Sequence, residues 1–257
     1  SIIIIMENQK NSFAVPIAII IAGLFIAGAV YFGGGVNAGG MKKDNAKIAK
    51  TQENSNEKET APENNVKPVS SADHIKGNPN AKVKMIEFSD PECPFCKRHH
   101  NTMNKIMEEY GKNGQVAWIY RHFPLNKPDA NGNVLHSKAG KESEALECAN
   151  EQGGNTKFWE YLDELFVVTP SNNGLDLAEL PNIATEVGLD ADKFNQCLNS
   201  GKYAKRVADD QDDGFNSGAR GTPYNIVIAS NEKKFVINGA LPYANIKAVI
   251  EQALAEK

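Results

Sequence analysis

Cys93 and Cys96 stand two residues apart, with Pro94 and Phe95 between them, where two segments of different periodicity meet. Residues 82–88 (Lys-Val-Lys-Met-Ile-Glu-Phe) read as a buried strand, and residues 95–110 read as a helix that Gly111 and Gly114 stop. A strand that delivers a Cys-x-x-Cys pair to the first turn of a helix leaves few folds open. It also assigns the pair to redox chemistry rather than to a structural staple. At a helix N-terminus the first sulfur meets unpaired N–H groups and the positive end of the dipole, and both favour thiolate over thiol. Pro94 suits the first helical turn, where its missing N–H costs nothing. Half of a zinc site is the competing reading, but tetrahedral zinc usually takes two close pairs and the chain has one Cys-x-x-Cys.

Residues 115–122 predict a second strand, with Val116, Trp118 and Tyr120 alternating against Ala117, Ile119 and Arg121. A strand, a crossover helix and another strand predict a parallel pair. From about 140 to 213 the pattern is helical: Phe158, Leu162, Leu165 and Phe166 recur at helical spacing, and so do Ile183, Ala184 and Val187 after Pro181. Asp190 suits the cap of a short helix through Leu198, and 204–213 predict another. Strand signals return at 224–229 and 234–237, Gly239 punctuates, and 244–256 predict a closing helix.

This order, β-α-β, a helical block, then β-β-α, is that of an α/β thioredoxin-like fold with an all-helical insertion at about 136–216. The chain here resembles the DsbA-like thiol-disulfide oxidoreductases over residues 74–257. The resemblance rests on Glu-Phe-Ser-Asp-Pro-Glu-Cys-Pro-Phe-Cys at 87–96, Arg-His-Phe-Pro-Leu at 121–125, Gly-Leu-Asp-Ala-Asp-Lys-Phe at 188–194 and Gly-Thr-Pro at 221–223.

Cys93 is then the expected nucleophile, the more exposed and more acidic of the pair, and Cys96 the resolving thiol. The resemblance implies that Glu87 lies buried beneath them as a proton-exchanging carboxylate, where an exposed edge-strand acid is the alternative. It implies that Pro223 is a cis-proline in a loop facing the cysteines, with Thr222 bordering the active site. It also implies a structural disulfide between Cys148 and Cys197; two buried free thiols are the alternative. Phe95 departs from the pattern, since strongly oxidising members often carry His there. Phe neither donates a hydrogen bond nor carries charge, so a milder oxidant is expected. His99 and His100 read as solvated helix residues, and Phe158, Trp159 and Tyr161 as core and rim aromatics. Asp209 to Gly214 faintly match a calcium loop, but Arg220 stands where the closing Glu is needed. No metal and no cofactor is expected.

The N-terminal part has a different character. After a short segment, 1–12, residues 13–32 run twenty positions without a charge, long enough to span a bilayer. A membrane anchor is the expectation; a cleaved signal peptide is the alternative, with small residues at Ala27-Gly28-Ala29 and Val36-Asn37-Ala38. Residues 33–73 hold almost no large apolar side chain and predict a flexible tether. Lys42, Lys43, Lys47 and Lys50 would by count keep the following domain in the cytoplasm, but disulfide chemistry requires an oxidising compartment.

The net charge of −4, with no basic stripe, excludes a nucleic-acid partner. The expectation is a monomeric, membrane-tethered, extracytoplasmic enzyme that introduces disulfides into exported cysteine-containing proteins. The resemblance implies a quinone-linked membrane partner to reoxidise it. A reductase or isomerase, a single-client maturation factor and a non-enzymatic metal-binding or chaperone module are the alternatives.

Overall fold

The structure, a computed structural model, describes residues 65–257. The segments at 1–12 and 13–32, and the tether up to 64, lie outside the described residues. Among the described residues no helix is long and apolar enough to cross a membrane.

A five-stranded sheet in the order β1-β3-β2-β4-β5 organises the domain. Its strands are β1 (His74–Gly77), β2 (Val83–Ser89), β3 (Val116–His122), β4 (Tyr224–Ile228) and β5 (Lys234–Asn238). β2 and β3 run parallel, joined by helix α1 (Pro94–Ile106), while the other pairings are antiparallel. β2 is therefore central, which removes the edge-strand alternative for Glu87. Helix α1 ends in a π-helical turn, Met107–Gly111. The inserted block follows β3: α2 (Ala139–Val168), a 3-10 turn (Leu177–Glu179), α3 (Leu180–Glu186), α4 (Ala191–Ser200) and α5 (Ala204–Asn216). Helix α6 (Tyr243–Ala255) closes the chain.

Side chains alternate across a strand, so β2 feeds two cores. Val83 and Met85 join Trp118 and Tyr120 under α1, with Phe158, Trp159 and Leu162 of α2 and Ile246 and Ile250 of α6. Ile86 and Phe88 join Ala117, Ile119, Phe123 and Ile226 on the opposite face. There α5 comes so close that a Cβ on Gly214 would collide with the rings of Phe123 and Phe88. α2 is broken at Gly153 and Gly154; Gly154, at φ 67° and ψ −166°, adopts a conformation reserved for glycine. The break re-aims the second half of α2, so that Phe158 and Trp159 reach the sheet while Cys148 in the first half bonds Cys197 of α4 across 5.8 Å between Cα atoms.

Two features depart from the expectations. β1 is a strand that the sequence reading placed in no element; it adds to the sheet edge by pairing with β3. The ordered contacts of the domain also begin before His74. Arg121 reaches out from β3 to bind the carbonyl oxygens of Lys67 and Pro68, both oxygens of Asp73, and Asp213 on α5. The last stretch of the expected tether is thus pinned to the sheet.

Candidate active site

Pro94 opens α1, leaving Cys93 as its N-cap residue with extended backbone. The cap has no side-chain hydrogen bond, so the free N–H groups of the first turn face the Cys93 sulfur. Both cysteines are free thiols and both are buried, Cys93 at 3 % exposure and Cys96 at 0 %. The Cys93 pKa falls to about 6. The hydrogen bond from the Cys96 thiol is the largest cause; burial opposes it, and Thr222 and the backbone N–H groups of Cys96 and Phe95 add to it. Cys96 is pushed the other way by burial, by the bond to Cys93 and by the charges of Cys93, Glu87 and Asp90. One sulfur is held ready as thiolate and the other as thiol.

The Thr222–Pro223 peptide bond is cis, and the Cys93 Sγ lies 3.5 Å from the Thr222 carbonyl oxygen. β4 follows at once, so the sheet itself places this loop against the first turn of α1. Phe95 projects outward, 52 % exposed, with the Arg98 guanidinium over its ring at 5.0 Å. It touches solvent rather than lending polarity to the sulfur.

Glu87 is 1 % exposed and accepts a 2.8 Å hydrogen bond from the Trp118 indole. Strand register sets Tyr120 on one side of it and Asn225 on the other. His99 and His100 are buried, not solvated as their residue type suggests. They sit on the inner face of α1, where His99 meets Asn225 and Glu87 and His100 meets Asp163 of α2 at 2.5 Å.

A second polar cluster adjoins the cysteines from the N-terminal side, and the sequence reading did not single it out. Asp90 accepts from the N–H groups of Glu92 (2.7 Å) and Leu125 (2.7 Å) and from His136 Nδ1 (2.8 Å), while its own N–H points at Cys96 Sγ at 3.4 Å. Burial works against a charged His136, but Asp90 outweighs it and raises the imidazole pKa. Glu92 and Glu142 are wholly buried, and Glu92 has the Glu142 carboxyl and the Asn173 backbone N–H as its hydrogen-bonding neighbours. Burial, then the charge of Glu92, pushes Glu142 up to about 9, so it carries the proton between them.

Farther off, Glu147 Oε1 meets His74 (2.9 Å), His122 (3.0 Å) and Arg206 (3.4 Å). Two imidazoles and a carboxylate are a metal-ligand set, with ligand atoms within 4.8 Å of one another. Arg206 already supplies a cation there, and the cluster joins β1, β3, α2 and α5.

The comparisons with known proteins agree with this arrangement. The family model described as Thioredoxin matches residues 70–252. The structure is similar to Wolbachia pipientis alpha-DsbA1 (TM-score 0.59, 25 % identity, 72 % of this chain and 92 % of that one). It is also similar to oxidised BdbD from Bacillus subtilis (TM-score 0.62, 22 % identity, 74 % and 97 %). Among curated sequences it is 31 % identical over 153 residues to the Na(+)/H(+) antiporter NhaA 1 of Mycolicibacterium gilvum, covering 59 % of this chain and 22 % of that protein. The chain thus spans about a fifth of the length of the curated relatives it matches. A profile match over most of the domain, the Cys-x-x-Cys at a helix start and the helical block between β3 and β4 lead to one conclusion: the chain belongs to the thioredoxin family and has the fold of the DsbA-like thiol-disulfide oxidoreductases.

Proposed function

We propose that Cys93 and Cys96 form a thiol-disulfide exchange centre that oxidises cysteine pairs in exported proteins. The observation that carries this reading is the position of Cys93: an uncapped helix start on one side and the Thr222 carbonyl 3.5 Å away on the other. In the oxidised enzyme a substrate thiolate attacks Cys93 Sγ, the Cys93–Cys96 bond breaks, and its electron pair leaves on Cys96, which takes up a proton. A second substrate thiolate attacks the substrate sulfur of the mixed disulfide and releases Cys93 as thiolate. A sulfur with a pKa of about 6 is a good leaving group, which favours giving the disulfide away. The backbone of the cis-proline loop suits pairing with an extended substrate segment. Cys148 and Cys197, bonded in the helical block, serve the fold.

The location belongs to the same proposal. Structural disulfide and exchange chemistry both suit a compartment outside the cytoplasm, and the uncharged run at 13–32 would anchor the domain to the membrane there. Reoxidation would fall to a quinone-linked membrane partner.

The test is a dithiol peptide mixed with the oxidised full chain. Stoichiometric peptide disulfide is expected, with no reaction for Cys93→Ser and, for Cys96→Ala, accumulation of a mixed disulfide with an oxidised peptide. Trapping thiols in cells fixes the direction: a mostly oxidised pair is expected, and a fully reduced pair would convert the reading into a reductase.

A further inference from the structure

Asp90, the first residue after β2, ties together the turn that carries Cys93. Its carbonyl oxygen accepts from the Cys93 N–H at 3.1 Å and its Oδ1 from the Glu92 N–H at 2.7 Å, while its own N–H points at Cys96 Sγ. Its Oδ2 accepts from His136 Nδ1 at 2.8 Å, with Asp90 at 0 % and His136 at 2 % exposure. His136 is fixed through its backbone as well: its N–H donates to the Leu125 carbonyl and its own carbonyl accepts from Ala139. Against the imidazole lies the loop after α2, where Ser171, Asn172 and Asn173 run consecutively at φ 66°, 52° and 64°. Three successive left-handed residues without a glycine persist only where their surroundings impose them. Here the Asn172 N–H binds the Glu92 carbonyl at 2.9 Å, and the Asn172 side chain faces His136.

We propose that His136, fixed by Asp90 against the active-site turn, is a positioning residue that supplies the positive charge opposite the Cys93 thiolate and so strengthens the enzyme as an oxidant. This rests on the exchange reading of Cys93 and Cys96. Pro94 and Phe95 carry no charge, and the cations in the first turns of α1 are committed elsewhere. Lys97 Nζ donates to the Thr169 and Val167 carbonyls, and Arg98 to the Ala240 carbonyl while it covers the Phe95 ring. The buried pair is also oriented. Its imidazole end acts on Cys93 and its carboxylate end on Cys96, so one ion pair favours charge on the first sulfur and opposes it on the second.

The charge enters through the redox balance. Two glutathione thiols reduce the Cys93–Cys96 disulfide and become one glutathione disulfide. The two electrons go to the enzyme sulfurs, one proton goes to Cys96 and the other to solvent, and Cys93 is left as thiolate. A cation facing that thiolate stabilises the reduced enzyme and draws the equilibrium toward it. Facing His136 are Asp90, Glu92 and Cys93 from the turn after β2 and, from the loop after α2, Asn172, which does not titrate. Glu142 of α2 stands behind Glu92, and Lys138, on the same segment as His136, donates to the Leu175 carbonyl. Burial opposes the imidazolium, and Asp90, the Cys93 charge and Asn172 favour it. The coupling is reciprocal: an imidazolium that favours the thiolate is favoured by it in turn.

The test follows the His136 imidazole by nuclear magnetic resonance in the full chain, once oxidised and once reduced chemically with a phosphine. Its titration midpoint is expected about one pH unit higher in the reduced chain. Equal midpoints overturn the proposal. Two variants then separate the charge from the hydrogen bond. His136→Asn keeps an N–H donor within reach of Asp90 but removes the charge. It is expected to move the Cys93 thiolate midpoint up by about one pH unit. In a glutathione buffer at pH 7 its equilibrium constant for reduction should fall about fivefold, which lowers the potential by about 20 mV. His136→Phe, which removes both charge and donor, is expected to show at least the same shifts. Unmutated values in His136→Asn, with His136→Phe alone shifted, would reduce His136 to a hydrogen-bonding support of the turn and overturn its charge role. If neither variant folds, the resonance comparison decides by itself, since it needs no substitution. It is read on the two separate redox states and does not require exchange, so a chain that oxidises no dithiol peptide defeats the exchange reading, whereas an unshifted His136 in a chain that does so defeats this one alone.

Discussion

Glu142 shares its proton with Glu92, the residue immediately before Cys93, in a place that solvent does not reach. Burial and the neighbouring charge lift Glu142 from 4.5 to about 9. The sign follows from linkage: an acid with a raised folded pKa gives its full contribution below its unfolded pKa and loses it as pH rises through the folded one. The contribution of Glu142 to the reduced protein is therefore expected to be lost progressively between pH 4.5 and about 9, against an opposite change from Cys93 above pH 6. Glu142→Gln should flatten that decline, as read from urea unfolding midpoints across the interval.

The thiolate of Cys93 should appear, by its ultraviolet absorbance, with a midpoint of about 6. Because the largest cause is the hydrogen bond from Cys96, Cys96→Ala is expected to move the midpoint upward. Here the folded pKa is depressed, so the stability it confers on the reduced form is present above pH 9.0 and fades as pH falls through about 6.

Gly214 lets α5 lie directly on Phe88 and Phe123. Gly214→Ala should overpack that contact and cost about 1–3 kcal/mol, despite the better helix propensity of alanine. Thermal unfolding measures it.

The Cys148–Cys197 bond closes a loop with a sequence separation of 49. Replacing both cysteines by alanine should cost about 4 kcal/mol of stability in the chain-entropy model. Peptide oxidation by the folded fraction should be retained. Loss of exchange in a variant that is still folded would contradict this division of labour.

Arg121 neutralises Asp73 and Asp213 where solvent scarcely reaches any of the three. Arg121→Met should cost about 3–5 kcal/mol, since it leaves carboxylates buried without their partner. Asp73→Asn combined with Asp213→Asn should recover part of that loss in denaturant titrations.

The long elements were readable because each carries its own pattern: β2 and β3 by apolar runs, α2 and α4 by spacing and by the Asp190 cap, which accepts from the Asp192 and Lys193 N–H groups. Cys93 announces itself through the turn it occupies, while Glu87 was visible only through its family resemblance. β1 has four residues and no periodicity long enough to register; pairing with β3 creates it. His99 was hidden for a related reason. Its residue type predicts solvent, and the partner that keeps it inside, Asn225, is 126 positions away. Glu142 is likewise hydrophilic by type, and its counterpart Glu92 lies fifty positions away in the turn between β2 and α1, so no local window pairs them. Gly214 gave no sign of the two rings it admits.

The Arg121 clamp also decides how the domain bears mechanical load. Tension applied at residue 65 would reach Val66 first, which packs in the second core, and then Lys67 and Pro68, which are held by the Arg121 guanidinium and, through the Lys67 N–H, by Asp213 on α5. Force would then be shared between the sheet and the helical block before it reached β1. The cysteines, on the first turn of α1 beyond the central strand, lie outside that line of pull, so such a load would leave their spacing undisturbed.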